Sequence, residues 1–144
     1  MQLTRGADYG VRVMIQLASA DPGARMSLGE LAGAAEAPPA FLSKVLQQLV
    51  RTGLIVSHRG KRGGFSLANH GSNPSLLEIV DAMDGLPPLN DCLKTTDPCE
   101  RATWCGAHLV WLEAQSRMRE VLAGATLDTL VSMTRTRRTQ AGLN

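Results

Sequence analysis

The apolar residues change period once in the first half of the chain, and that change limits what the segment can become. From Thr4, residues Ala7, Val11, Met14, Ile15 and Ala18 recur at helical spacing until Asp21-Pro22-Gly23 stops them. Ser27-Leu-Gly-Glu30 then reads as a capping box. The serine oxygen accepts from the amide three residues on, and the glutamate reaches back to the serine amide, which predicts a second helix from Leu28 to about Ala34. Proline is tolerated in a first helical turn, where its missing N–H would have had no partner, so Pro38-Pro39 places the start of a third helix near Pro39. Its stripe is Leu42, Val45, Leu46, Leu49 and Val50, and Gly53 closes it. After Gly53 the period becomes that of a strand: Leu54 to Ser57, a glycine-rich loop from His58 to Gly64, then Phe65 to Leu67. Three helices followed by a hairpin predict a winged helix-turn-helix, with a turn at 34–39 short enough for the third helix to cross the second and enter a major groove.

The second half reads as helical. Asn73-Pro74-Ser75 opens a fourth helix through about Met83, with Leu76, Leu77, Ile79, Val80 and Met83 as its apolar face, and Gly85 with Pro87-Pro88 ends it. A longer helix is predicted from about Leu109 to Leu122, with Trp111, Ala114, Met118, Val121, Leu122 and Ala125 at helical spacing, and a last short helix begins at Thr126. The fold class is therefore mainly α with a small β-hairpin wing. Residues 1–72 form the winged helix-turn-helix and 73–131 carry a loop and further helices. Residues 132–144 form a tail expected to be mobile, because from Arg135 no apolar period remains.

Charge is distributed unevenly. From Ala37 to Leu77 there is no Asp or Glu, while Lys44, Arg51, Arg59, Lys61 and Arg62 all fall there. A basic hairpin alone is most often a solvated surface. Behind three helices in this order it is the electrostatic footprint of double-stranded DNA binding. On the third helix Ser43, Lys44 and Gln47 stand about one turn apart; glutamine suits adenine N6 and N7, lysine suits guanine acceptors, and serine is permissive. In the wing, glycines let the backbone approach closely, Lys61 adds a cation for phosphate, and Arg59 or Arg62 fits a narrowed minor groove.

All three cysteines lie in one stretch, Cys92-x6-Cys99-x5-Cys105, with His108 three positions on. An odd count argues against a closed disulfide framework. Thiolates and an imidazole gathered in one loop are soft ligands, which points to a metal or iron-sulfur site, and Cys3His is also an ordinary zinc set. Confinement to one loop weighs against three unrelated buried thiols. No apolar run approaches a membrane span and no signal peptide is visible, so a cytoplasmic location and reduced thiols are expected. No nucleotide loop, paired nucleophile and base, or cofactor fingerprint appears, so an enzyme is not expected. An iron-sulfur redox carrier is a lesser alternative, since such a carrier usually has four cysteines on compact motifs.

Taken in order, Met1-Gln-Leu-Thr4, Asp8-Tyr-Gly10, Leu54-Ile-Val-Ser-His-Arg-Gly60 with Gly63-Gly64, Ser75-Leu-Leu-Glu-Ile-Val80, the three cysteines and Thr126-Leu-Asp-Thr-Leu-Val131 resemble the Rrf-type winged-helix transcriptional regulators, the IscR-, NsrR- and RirA-like proteins, over residues 1–131. The resemblance implies a homodimer joined by the long C-terminal helix, an operator-binding repressor or activator, and an iron-sulfur cluster sensing redox state, nitric oxide or iron status. The interval between the first two cysteines is one residue longer than in the IscR-like pattern. For the fourth ligand the resemblance offers two residues. His108 keeps the spacing that completes a 2Fe-2S site in IscR-like members. Asp8 occupies the place from which some NsrR-like members complete a 4Fe-4S site in the other subunit. An exposed Asp8 paired with Arg5 or Arg12 is its alternative reading. His108, and with it 2Fe-2S, is preferred because it comes from the same loop. A regulator working through thiol oxidation or zinc without a cluster is the alternative.

Overall fold

Residues 3–69, 72–96 and 99–143 are described by the computed structural model; Met1, Gln2 and Asn144 of the segments discussed above lie outside them. Helix α1, Arg5–Ser19, starts where Thr4 Oγ1 accepts from the Ala7 amide at 3.3 Å. Its buried face is turned from the expected one. Ala7 and Met14 are buried with Gly10, Val13 and Leu17, while Val11, Ile15 and Ala18 are only partly buried. The cause is Gly10: a Cβ there would stand 2.9 Å from Met83 Cγ, so a residue with no side chain admits a neighbouring helix.

Helix α2, Leu28–Ala35, carries the predicted capping box, with the Glu30 amide 3.3 Å from Ser27 Oγ and the Glu30 carboxylate accepting from the Ser27 amide at 2.7 Å. Those bonds, the backbone one foremost, hold the Glu30 carboxyl below its ordinary range. Helix α3, Pro39–Arg51, buries Leu42, Val45, Leu46 and Leu49 as expected, with Val50 packed partly against the same core.

Strands β1, Ile55–His58, and β2, Gly64–Leu67, pair antiparallel from Ile55 opposite Leu67 to His58 opposite Gly64. Met26 adds a rung: its amide donates to Phe65 O at 3.0 Å and its carbonyl accepts from the Phe65 amide at 2.8 Å. His58 Nε2 and Ser66 Oγ, 2.9 Å apart, tie the two strands together. The backbone needs glycine here. Gly64 has φ +141°, and a Cβ on it would lie 2.6 Å from Met26 O. Gly64→Ala is therefore expected to destabilise the protein by about 1–3 kcal/mol, seen as a lower urea midpoint. An unchanged midpoint would show that the rung to Met26 yields freely.

Helix α4, Leu76–Asp84, has its own capping box, Ser75 with Glu78, which likewise holds Glu78 below the usual carboxylate range. Ile79 and Val80 are buried; Leu76, Leu77 and Met83 are partly so. A one-turn 3-10 helix, Asp91–Leu93, is followed by α5, Gly106–Gly124, which begins three residues before the expected Leu109 and buries no residue. Helix α6 spans Leu127–Gln140. Its start is fastened to the start of α4 by Leu76 N–H to Ala125 O at 2.8 Å and Leu127 N–H to Pro74 O at 2.9 Å.

The tail expected to be mobile begins within this helix, which runs as far as Gln140. The reason is tertiary: α6 leans on α1, sharing a hollow with Ile15 and Ser19 through Val131 and Thr134, so it needs no apolar period of its own. No helix of the described residues is long and apolar enough to cross a membrane.

Candidate DNA-binding face and thiol site

The exposed side of α3 and the hairpin form one surface. Ser43, Gln47, Val50 and Arg51 of α3, with Ser57 and Phe65 of the strands, line an open hollow of 490 Å³. Lys44 and Gln47 are exposed, and Ser43 is half-buried. Arg59, Lys61 and Arg62 are exposed at the hairpin tip. Two residues that the sequence reading did not single out make contacts beside this face. Arg25, in the connection between α1 and α2, donates from Nη1 to Arg62 O at 3.5 Å and so brings another cation to the wing. Gln48 donates from Nε2 to Ala82 O at 3.0 Å while accepting from Arg51. Nothing local in the sequence marks either, because both contacts span more than thirty residues.

The Gln48 bond matters for where it lands. Ala82 lies in the last turn of α4, and Asp84 in that same turn accepts from Thr4 Oγ1, the α1 cap, at 2.5 Å. The turn that opens onto the cysteine loop is thus hydrogen-bonded to both α3 and α1. Leu89 N–H, further on, donates to Gln115 Oε1 of α5 at 2.9 Å.

Cys92 lies in the 3-10 turn, Cys99 accepts from the Ala102 amide through its carbonyl at 3.0 Å, and Cys105 is the residue before α5. All three thiols are free and half-buried. Lys94, 2.6 Å from Asp91, holds that carboxyl below its ordinary range by hydrogen bond and then by charge. His108 sits in the first turn of α5, its amide donating to Cys105 O at 3.0 Å. Its Nδ1 is buried and has no hydrogen-bond partner in the protein. A buried ring nitrogen with no partner is costly and calls for one. The donor set suits a thiophilic metal or an iron-sulfur cluster in kind. Among the described residues, though, no three His, Cys, Asp or Glu side chains converge on one point.

Asp8 takes its alternative reading within the chain. It is ion-paired with Arg12 at 2.9 Å, and Arg12 also donates to Ala35 O at 3.1 Å and lies over the Tyr9 ring.

Helix α5 divides the stripe expected of it. Ala114, Met118, Leu122 and Ala125 are half-buried on their own chain, whereas Trp111 and Val121 are 39% and 72% exposed; Leu109 and Val110, outside that stripe, are each 66% exposed. Trp104, beside Cys105, is 71% exposed under the Arg101 guanidinium.

The sequence model of Rrf2, described as an iron-dependent transcriptional regulator, matches residues 3–133. A Mycobacterium tuberculosis protein named as an HTH-type transcriptional regulator is 35% identical over 128 residues, covering 88% of this chain and 79% of its own. The HTH-type transcriptional regulator IscR of Vibrio vulnificus is 26% identical over 132 residues, covering 92% and 78%. Among solved structures, CymR, the global cysteine regulator of B. subtilis, shares the fold with a TM-score of 0.75 at 24% identity, over 92% of this chain and 98% of that one.

Proposed function

We propose, from the premise that the chain belongs to the Rrf2 family of transcriptional regulators, that it is a homodimeric operator-binding protein whose DNA affinity depends on an iron-sulfur cluster held by Cys92, Cys99, Cys105 and His108. The observation that carries the cluster reading is the buried, partnerless Nδ1 of His108, one helical turn into α5 from Cys105. The description of the matching family as iron-dependent and the similarity to an IscR support it. An iron-sulfur cluster, when bound, supplies redox and iron dependence at this point. By the resemblance, His108 as fourth ligand favours the 2Fe-2S form, and Asp8 contributed by the other subunit favours 4Fe-4S.

The protein's own residues supply the coupling. Ligation requires Cys92, Cys99 and Cys105 to approach one another, which rearranges residues 86–108. That segment leads directly out of the α4 turn bonded to Gln48 and Thr4, and into α5. On DNA, Ser43, Lys44 and Gln47 read base edges, Arg59 or Arg62 enters the minor groove, and Lys61 contacts phosphate. Two half-sites must lie about one helical turn apart, or a multiple of it, so a small change at the dimer helix alters the fit. The two forms differ in affinity only as far as ligation favours one arrangement over the other.

Lys44→Ala and Arg59→Ala, titrated against genomic promoter fragments at several salt concentrations, are expected to weaken binding by about 1–3 kcal/mol each. Equal affinity to the native protein at every salt concentration would remove α3 and the wing from the interface. A second reading, a zinc- or thiol-dependent regulator, is favoured by three free thiols that do not form a ready metal site among the described residues. Protein purified anaerobically that is colourless and free of acid-labile sulfide would decide for it.

A further inference from the structure

We infer that Gln48 positions Arg51 for a DNA phosphate and is itself held by the last turn of α4, so that the end of α4 governs a contact made by α3. This rests on the DNA-binding reading above. Arg51 is exposed in the last turn of α3, four residues after Gln47, and lines the same hollow as Ser43, Gln47 and the strand residues Ser57 and Phe65. It therefore stands on the face that carries the base-reading residues. In a three-helix DNA-binding domain the C-terminal end of the recognition helix can contact the backbone, and a guanidinium binds phosphate oxygens in pairs. The ordinary use of an arginine there is to balance the helix's own unpaired carbonyls. Those of Gln48, Leu49 and Val50 already accept from the amides of Thr52, Leu54 and Gly53.

Gln48 uses both ends of its amide. Its Oε1 accepts from Arg51 Nη2, and its Nε2 donates to Ala82 O at 3.0 Å. A pair three apart on a helix surface ordinarily contributes little. Here the glutamine is fixed from a second helix, so the guanidinium beside it is placed. A neutral amide leaves the charge intact, and most of the five guanidinium N–H donors stay available for phosphate. Ala82 O is open to Gln48 because a helix leaves its last four carbonyls without partners of its own. Its turn is held by Thr4 on Asp84 and by Gly10 against Met83. Gly85 then turns the chain towards the cysteine loop with φ +67° and ψ 167°, a conformation essentially confined to glycine. A Cβ on Gly85 would meet nothing within 4 Å, so alanine there alters the backbone path without a clash. In the right-handed region it would carry α4 one residue on and bring the Leu86 N–H to Ala82 O, the acceptor that Gln48 uses.

The test is binding to a fluorescein-labelled, mixed-sequence duplex of about 40 base pairs, followed by anisotropy from about 50 to 300 mM salt. R51M is expected to lower the slope of log K against log salt by about 0.9 per bound protomer. Q48M keeps chain length and helix propensity. It is expected to weaken binding about 3–10-fold when Arg51 is present and less than about twofold on top of R51M. G85A is expected to give a similar loss, with Q48M/G85A binding no more weakly than Q48M. A native slope in R51M overturns the inference alone, as do equal losses from Q48M with and without Arg51, or additive losses from Q48M and G85A. Absence of salt-dependent binding by the native protein overturns the DNA-binding reading and this contact with it.

Discussion

Serine in place of Cys92, Cys99 or Cys105 is expected to leave anaerobically purified protein without visible absorbance, with iron and acid-labile sulfide falling by about tenfold or more, since removing even groups that only support a metal ligand costs about 10–100-fold in affinity. Among the described residues no three potential ligands form a ready site, so a cluster needs all three thiols to be brought together and loses its hold when one is removed. His108→Ala is expected to behave like the cysteine variants. Its Nδ1 is already buried without a partner, so ligation would satisfy an atom that the folded chain otherwise leaves unpaired. Asp8→Ala is expected to retain the cluster, because ligation by Asp8 must first break its 2.9 Å pair with Arg12, which also holds the end of α2. Mössbauer spectra and iron and sulfide counts on the two variants decide. Loss in Asp8→Ala with retention in His108→Ala would transfer the fourth ligand to the partner subunit and favour 4Fe-4S.

The parts of this fold that are legible in the sequence are those set by local chemistry. Both capping boxes act through residues three apart, and the hairpin through the change of period after Gly53, so α2, α3, the start of α4 and the wing follow from short windows. What the sequence misplaced depends on distant neighbours. Gly10 is silent in an apolar pattern yet admits Met83 and turns the buried face of α1. Helix α6 runs on to Gln140 where no apolar period marks it, having packed against α1 at Val131 and Thr134. The site divides in the same way. The types and spacing of the thiol and imidazole residues can be read directly, and so can the basic stretch. The bond from Gln48 to Ala82 cannot, because it exists only once α3 and α4 are packed together.

Val110→Glu with Val121→Glu is expected to separate the proposed dimer and to cost about 10²–10⁴ in operator affinity, the range by which two linked contacts exceed one. Helix α5 has 19 residues, none of them buried, and leaves Leu109, Val110 and Val121 largely in solvent. Burying each such side chain is worth about 1.5–3 kcal/mol, and an exposed apolar helix face on this scale marks an interaction surface. The half-buried Ala114, Met118 and Leu122 belong to packing within the chain, so the two valines test association with the least effect on folding. Glutamate is a good helix former at exposed positions, so helical content should be unchanged. A second copy, brought together on the same face, would set four carboxylates against one another. Sedimentation equilibrium at micromolar protein is expected to give a monomer, and anisotropy titrations a half-site-like affinity. A variant that remained dimeric would place the contact elsewhere. One that became monomeric yet bound the operator unchanged would show that a single winged helix carries the recognition.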